Sequence, residues 1–184
     1  DQSYPTLRRG YYYYARTEKG KQYPSYYRVS EADFIERYGQ CPTAIEGGEL
    51  IFDVNVLAEG YDAYIFAGYA VSPDNKLAAY FANTTGSYAE FDLHIRNLER
   101  GEDLAFTLSG VSSLAWAEDS ETIYYTLIDE TLRSTKAFFQ RLTDAEPTLI
   151  YEEQDVCFSC SVSETKTREY IFLTAGSSTT TEEY

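Results

Sequence analysis

Cysteine and histidine have the widest chemical repertoire of the side chains in this sequence, and both are scarce. Cys157 and Cys160 are separated by two residues, which is half of the spacing of a zinc or redox site. A structural zinc site needs about four ligands, yet Cys41 is distant in sequence and His94 is the only histidine. Residues three apart in a strand also point to opposite faces. We therefore expect structural or incidental cysteines, no metal and no cofactor.

Acyl-transfer chemistry would need a nucleophile on a sharp turn and a base within hydrogen-bond reach. No G-x-S-x-G motif occurs in the sequence. The one candidate base, His94, lies in the alternating run 91–96, where it shares a face with Asp92 and Arg96. This alternation favours a solvated strand histidine over a catalytic one. We expect the chain to contain no catalytic residue.

Acidic residues are abundant, but their arrangement does not indicate an active site. Pairs such as Glu152-Glu153 are interpreted as solvated, because adjacency in sequence does not place two carboxyl groups across a cleft. A net charge of −15 disfavours nucleic acid as a partner. The same charge either keeps a tyrosine-rich surface soluble or attracts basic peptides.

Membrane association is not expected either. No apolar run approaches the about 18 residues of a membrane helix, and the polar start of the chain lacks the features of a leader peptide. The compartment stays open, with the cytoplasm as the default expectation.

The sequence repeats itself. Segments 70–80, 115–125 and 161–171 align, and their anchors Ser72, Ala117 and Ser163 are spaced by 45 and 46 residues. A period of about 40–50 residues is typical of propellers and solenoids.

Each period contains four short stretches with strand character, separated by polar turns. In the clearest unit they are 65–72, 77–82, 90–98 and 104–108, and in the next unit 112–116, 122–127, 134–142 and 148–151. Four strands per period indicate propeller blades. We assign blades to 63–108 and 111–152 and the start of another to 157–184, with a polar tail at 177–184.

The first 62 residues fit the repeat less well. A hairpin from 11–16 and 23–29, followed by a strand at 49–53, predicts a partial blade over 10–53. Between them, Ser30 and Gly39 bracket a short helical insertion at 31–39. The fold class is therefore all-β: an incomplete β-propeller of four-stranded antiparallel blades over residues 1–184. It contains about three to four blades, fewer than most closed rings have.

Aromatic side chains make up 16% of the chain. Strand geometry places Tyr11 and Tyr13 on one face and Tyr12 and Tyr14 on the other. Packing between blades explains this run better than ligand stacking, and Trp116, at the end of an innermost strand, is expected to be a core residue.

Four stretches resemble the propeller of the prolyl oligopeptidase family of serine peptidases, and within that family its oligopeptidase B members. They are GYYYYARTEKGKQYP at 10–24, DVNVLAEG at 53–60, YAVSPDN at 69–75 and YTLIDETLR at 125–133. The sequence departs from the family at Ser134, where proline is usual, and in a longer insertion around Phe34. The loop 84–90 is one residue out of register, so no role is transferred to Glu90.

The resemblance implies a seven-bladed propeller placed over a C-terminal α/β-hydrolase domain of the same polypeptide, which would hold the catalytic triad and is absent from this chain. It also implies an enzyme that cleaves short peptides after Lys or Arg, with the propeller limiting access to the active site. The alternative is an independent propeller that acts as a binding or scaffold module.

One edge of the sheets is the candidate site. Loops that join the second and third strands of a blade emerge on the same side as the connections between blades, because each strand reverses direction. The loops 83–88, 128–133 and 175–179 are therefore expected on one edge. Candidates for contact with substrate or the hydrolase domain are Thr84, Thr85, Gly86, Asp129, Glu130 and Arg133. Ordinary loop polarity is the alternative explanation.

Overall fold

The structure is a computed structural model that describes residues 1–39, 45–87, 89–165 and 167–184. Its strands form four antiparallel sheets, in each of which neighbouring strands are consecutive in the chain. Sheet 1 contains β1 (Thr6–Arg8), β2 (Tyr11–Arg16), β3 (Ser25–Ser30) and β4 (Glu49–Asp53). Sheet 2 contains β5 (Ile65–Val71), β6 (Leu77–Asn83), β7 (Asp92–Asn97) and β8 (Glu102–Ser109). Sheet 3 contains β9 (Val111–Trp116), β10 (Thr122–Ile128), β11 (Ser134–Arg141) and β12 (Thr148–Glu152).

Sheet 4 contains β13 (Ser159–Glu164), β14 (Ile171–Gly176) and β15 (Thr181–Glu183). The helices are α1 (Glu31–Tyr38) and α2 (Val54–Leu57). The expected fold class, an all-β partial propeller with a helical insertion near 31–39, is confirmed. The chain divides into two compact units, Asp1–Asp62 and Ala63–Tyr184. In the described ranges, neither helix has the length and apolar character that a bilayer crossing requires.

Helix α1 begins and ends as its sequence predicts. The Ser30 hydroxyl accepts a hydrogen bond from the Asp33 backbone N–H at 3.1 Å, which caps the first turn. At the other end Gly39 adopts a φ of 69°, which residues with a Cβ rarely adopt, and its N–H donates to the Ile35 carbonyl. The cap residues therefore set the length of this insertion.

The tyrosine run in β2 alternates between two faces, as expected for a strand. Tyr12 stacks on Phe34 of α1 with ring centroids 3.8 Å apart, and Tyr14 stacks on Tyr27 of β3 at 5.4 Å. This face of sheet 1 is thus packed by the helical insertion that follows it in the same unit. The sequence analysis had assigned the packing of these tyrosines to a neighbouring blade.

The opposite face of β2 carries Tyr11 and Tyr13 around a buried arginine. The Arg28 guanidinium lies 4.6 Å from the Tyr11 ring centroid and forms two hydrogen bonds, of 2.7 and 3.0 Å, with the Glu49 carboxylate. Arg28 is only 4% exposed, so the bidentate pairing and the aromatic face offset the cost of burying its charge.

Alternation also organises sheet 2. Leu93 and Ile95 are fully buried on one face of β7, and His94 points to the other. They pack with Trp116, which is 2% exposed and whose indole N–H donates to the Ala70 carbonyl at 3.0 Å. Trp116 is therefore the core residue that its position in the repeat predicts.

Two strands were not predicted from the sequence. Residues 177–184 were interpreted as a polar tail, which is wrong for β15, and β1 was not assigned. Both strands are three residues long and exposed throughout, so neither shows an apolar alternation. Backbone pairing with β2 and with β14 forms them instead.

Candidate interdomain rim

The candidate site lies on one edge of sheets 2 to 4, here called the connector rim. It comprises the described residues of the loops between β6 and β7 (84–87 and 89–91), at 129–133 and at 177–180, and the connections between sheets at Gly110 and 153–158. The Gly110 carbonyl accepts a hydrogen bond from Ile128 N–H at 2.9 Å, and Val111 N–H donates to the Phe91 carbonyl at 3.2 Å. The ends of the first two loops therefore meet at the connection between their sheets.

Asp129 organises the loop 129–133 from within. Its Oδ1 accepts hydrogen bonds from the Thr131 hydroxyl at 2.6 Å and from the backbone N–H groups of Thr131 and Arg133 at 2.8 and 3.1 Å. The hydrogen bond from the Thr131 hydroxyl, supported by the two N–H groups and the charge of Arg133, lowers the pKa of Asp129 below its usual value. Asp129 acts here as a turn-forming residue.

Arg133 joins this loop to the connection between sheets 3 and 4. Its Nη1 donates to the Asp155 carbonyl at 2.9 Å, and its Nε lies 3.7 Å from Asp129 Oδ2, within ion-pair range but too far for a hydrogen bond. In the same connection, Glu153 accepts hydrogen bonds from the Tyr151 hydroxyl at 2.7 Å and from Asp155 N–H at 2.9 Å. The hydrogen bond to Glu153 raises the pKa of Tyr151 to about 12.

Asn83 organises the loop 84–91 and was missed by the sequence analysis. Its Oδ1 accepts hydrogen bonds from Thr85 N–H at 2.9 Å and Gly86 N–H at 3.0 Å, and its amide donates to the carbonyls of Ser87 and Glu90. The side chain is 2% exposed. The available signal was an asparagine at a strand end followed by Thr-Thr-Gly, a typical turn sequence. Gly86 has a φ of 75°, which explains the glycine.

The six predicted rim residues differ in how far their side chains are used to stabilise the loops themselves. Asp129 and Arg133 hold the loop and the connection in place, and the backbone and hydroxyl of Thr85 pair with Asn83. Thr84 is half-buried, and Gly86 is exposed. Glu130 is exposed, and among the described residues no hydrogen bond or ion pair to its side chain is found. Tyr88, in the same predicted set of loops, lies outside the described residues.

His94 lies on the outer face of β7, as the sequence predicted, but it is only partly exposed to solvent. It is half-buried, its ring stacks on Tyr80 with centroids 5.1 Å apart, and its Nδ1 lies 3.4 Å from the Thr107 hydroxyl. His94 and Thr107 are paired across two regular strands, without the sharp turn that exposes a nucleophile. This arrangement is structural packing and does not resemble a catalytic dyad.

The cysteines behave as separate side chains. Cys157 is exposed and precedes β13, whereas Cys160 is 2% exposed, and burial raises the pKa of its thiol. Both thiols are free. Cys41 lies outside the described residues. Within the described ranges, no three or more His, Cys, Asp or Glu side chains are grouped as metal ligands.

Comparison with known proteins identifies the fold and its relatives. The family described as "Prolyl oligopeptidase, N-terminal beta-propeller domain" matches residues 1–184. Dipeptidyl aminopeptidase BI of Pseudoxanthomonas mexicana is 32% identical over 190 residues, covering 99% of this chain and 26% of that protein. Protease 2 of Moraxella lacunata is 32% identical over 177 residues, covering 94% and 25% respectively.

Solved structures of oligopeptidase B align with the whole chain. Oligopeptidase B from Leishmania major superposes with a TM-score of 0.88 at 26% identity. Oligopeptidase B from Trypanosoma brucei, in a closed form with covalently bound antipain, superposes with a TM-score of 0.84 at 26% identity. Each alignment covers 100% of this chain and 25% of the other. The chain thus spans about a quarter of the length of these relatives.

Proposed function

The chain belongs to the prolyl oligopeptidase family, as part of its N-terminal β-propeller domain, and from this premise we propose that it is the non-catalytic propeller portion of an oligopeptidase B-like serine peptidase. The observation that carries the proposal is the match of the propeller family to all 184 residues, combined with coverage of a quarter of each relative. The chemistry would then lie in residues outside this chain.

The proposed partner is a C-terminal α/β-hydrolase domain of the same polypeptide, and the connector rim is its proposed contact surface. The supporting argument is topological. In a four-stranded meander the first strand begins and the fourth strand ends on the same edge, so a chain that enters or leaves a blade does so there. A domain joined to the propeller through its first or last strand would therefore adjoin the edge that carries Asp129, Glu130 and Arg133.

The proposed substrates are short peptides with Lys or Arg at the cleaved position, with the propeller gating their access. The net charge of −15 favours the approach of basic peptides and disfavours nucleic acid. The relatives named oligopeptidase B support a preference for short substrates.

The rim is tested by single alanine substitutions in the longer protein. Glu130→Ala is decisive, because Glu130 has no described role in the loop, and we expect it to lower kcat/KM by about two- to fivefold without changing Tm. Asp129→Ala and Arg133→Ala should lower both quantities, since these residues also hold the loop. Glu146→Ala, an exposed acid on the opposite edge, is the matched control. Unchanged kinetics in all three rim variants would remove the rim from the proposal.

The peptidase assignment has its own test. The reading frame downstream of Tyr184 should encode a G-x-S-x-G followed by Asp and His, and the longer protein should cleave after Lys or Arg in preference to neutral residues. The 184-residue chain alone should show no amidase turnover. A stop codon shortly after Tyr184 would favour the independent binding module, and turnover by the chain that is lost in His94→Ala would refute the non-catalytic role.

A further inference from the structure

A groove of about 360 Å³ lies between sheets 3 and 4. It is within the size range of small-ligand sites, which runs from about 300 to 1,000 Å³. Ile150 is 43%, Tyr184 63% and Tyr170 65% exposed, so the groove opens to solvent. The described residues that line it lie in the unit Ala63–Tyr184.

The repeat explains why space remains there. Trp116 stands at the end of the first strand of sheet 3 and reaches Ala70 of sheet 2 with its indole N–H. The equivalent position in sheet 4, 46 residues later, is Val162, which is buried but carries a much smaller side chain. Val162 lines the groove together with Trp116 itself. The interface between sheets 3 and 4 therefore lacks the bulky residue that fills the preceding one.

The groove has an apolar interior and a charged mouth. Tyr124, Ile150 and Leu173 contribute aromatic and aliphatic surface. The β9–β10 turn adds the carboxylate of Glu118, the end of β13 adds that of Glu164, and the β13–β14 turn adds Glu169 and the guanidinium of Arg168. Carboxylates thus outnumber cations among the described lining residues.

We propose that this groove binds an ammonium or guanidinium group carried on an apolar stem, such as a basic side chain of a peptide. A long basic side chain buries its methylene groups against apolar surface while its charged end stays near water. Here the stem would lie along Tyr124 and Ile150, and the cation would meet the Glu169 carboxylate at the mouth and the face of Tyr170 or Tyr184. The site is argued independently of the peptidase assignment, because the lining residues on which it rests belong to this chain.

Occupancy is measured by isothermal titration calorimetry on the 184-residue chain. The chain is titrated with Nα-acetyl-L-arginine amide, and with Nα-acetyl-L-citrulline amide as the uncharged probe of matching shape. We expect a saturable heat of binding with the arginine probe that weakens as salt is raised, and a weaker or absent response to the citrulline probe. Equal responses to both probes, or no saturable response to arginine, would overturn the proposal.

Substitutions locate the site. Val162→Phe should fill the groove and weaken binding by about tenfold or more, whereas Val156→Phe adds the same ring at an exposed position and should have no effect. Glu169→Gln should weaken binding by about two- to fivefold, with Glu146→Gln as the matched control. If the Val162→Phe variant fails to fold, the comparison of Glu169→Gln with Glu146→Gln still tests where the ligand binds. If the Glu169→Gln and Glu146→Gln variants bind the arginine probe equally strongly, the ligand binds elsewhere.

Discussion

Sheets 2 and 3 pack through a continuous core, whereas sheets 3 and 4 pack through a smaller cluster beside an open groove. The first core consists of Ala79, Leu93, Ile95, Val111, Trp116, Ile123 and Tyr125. The second consists of Ala137, Cys160 and Val162, with Tyr124, Tyr151 and Leu173 packed around it. The strands recur with the same period at both places, so the backbone does not account for the difference.

Side-chain volume and hydrogen bonding account for it. In the first interface Trp116 fills the space between the sheets and also pairs with the Ala70 carbonyl. In the second interface the equivalent residue is Val162, and Ala137 stands where sheet 2 has Leu93. Because a void forfeits the contacts of the atoms that line it, the second interface should be the weaker one. The smaller side chains of the second interface also leave the volume of the groove in which a ligand could bind.

The largest expected effect comes from truncating the two equivalent residues. Trp116→Ala removes a buried aromatic side chain and should lower the free energy of unfolding by about 3–5 kcal/mol. Val162→Ala removes two methyl groups next to an existing groove and should cost about 1–2 kcal/mol. Urea unfolding followed by far-UV circular dichroism measures both values. Equal losses would show that the two interfaces are equally well packed.

A smaller effect is expected from a hydroxyl in the first interface. Tyr125 is 1% exposed, and its hydroxyl donates to Gln140 Oε1 at 3.0 Å in a buried hydrogen bond. Burial raises the pKa of Tyr125 to about 12. Tyr125→Phe would leave the Gln140 oxygen unpaired and should cost about 1–2 kcal/mol in unfolding free energy.

Tyr124→Phe is the matched control for this hydroxyl. Tyr124 is the neighbouring residue, lies on the other face of β10 and lines the groove. Its substitution should cost less than about 0.5 kcal/mol. A larger loss of unfolding free energy for Tyr124→Phe than for Tyr125→Phe would show that the hydroxyl beside the groove stabilises the fold more than the hydroxyl in the first interface.

The smallest effect concerns acid stability. Burial alone would raise the pKa of Asp74, but hydrogen bonds from the Ser72 hydroxyl and Lys76 N–H outweigh it, so the pKa is lowered. Asp119 is similar, since its hydrogen bonds with Thr122 outweigh burial. A carboxyl whose pKa is lower in the folded state stabilises the fold above its unfolded pKa of about 3.9. That stabilisation is lost as the pH falls through the folded value.

The turn of sheet 4 has Thr165 at the position equivalent to Asp119, and a threonine does not titrate in this range. Through these two aspartates, acid should therefore weaken the turns of sheets 2 and 3, whereas the turn of sheet 4 has no equivalent aspartate. The test is the double variant Asp74→Asn with Asp119→Asn. Its free energy of unfolding should fall less between pH 6 and pH 3 than that of the unmodified chain. The difference should be less than about 1 kcal/mol per residue, because both side chains are exposed. An unchanged pH profile in the double variant would show that these hydrogen bonds do not stabilise the turns.

Most strands could be predicted because they carry their own signal. Alternation marked β7 and β10 within one or two residues, and the caps Ser30 and Gly39 marked α1. β1 and β15 could not be found in this way, because they are exposed and form only by pairing with a partner strand. At the rim, Asp129 was singled out from the sequence, but its role within the loop became visible only from its hydrogen bonds.

The amino-acid sequence by itself determined the period, the sheet order and the alternation of faces, because these depend on residues that are close in the chain and on backbone geometry. Only the tertiary structure decided which faces are well packed. The contact from Trp116 to Ala70 joins residues 46 positions apart, and His94 owes its half-buried state to Tyr80 on the neighbouring strand. Such contacts depend on the space that one sheet leaves for the next, and the groove beside Val162 exists because that space is not filled.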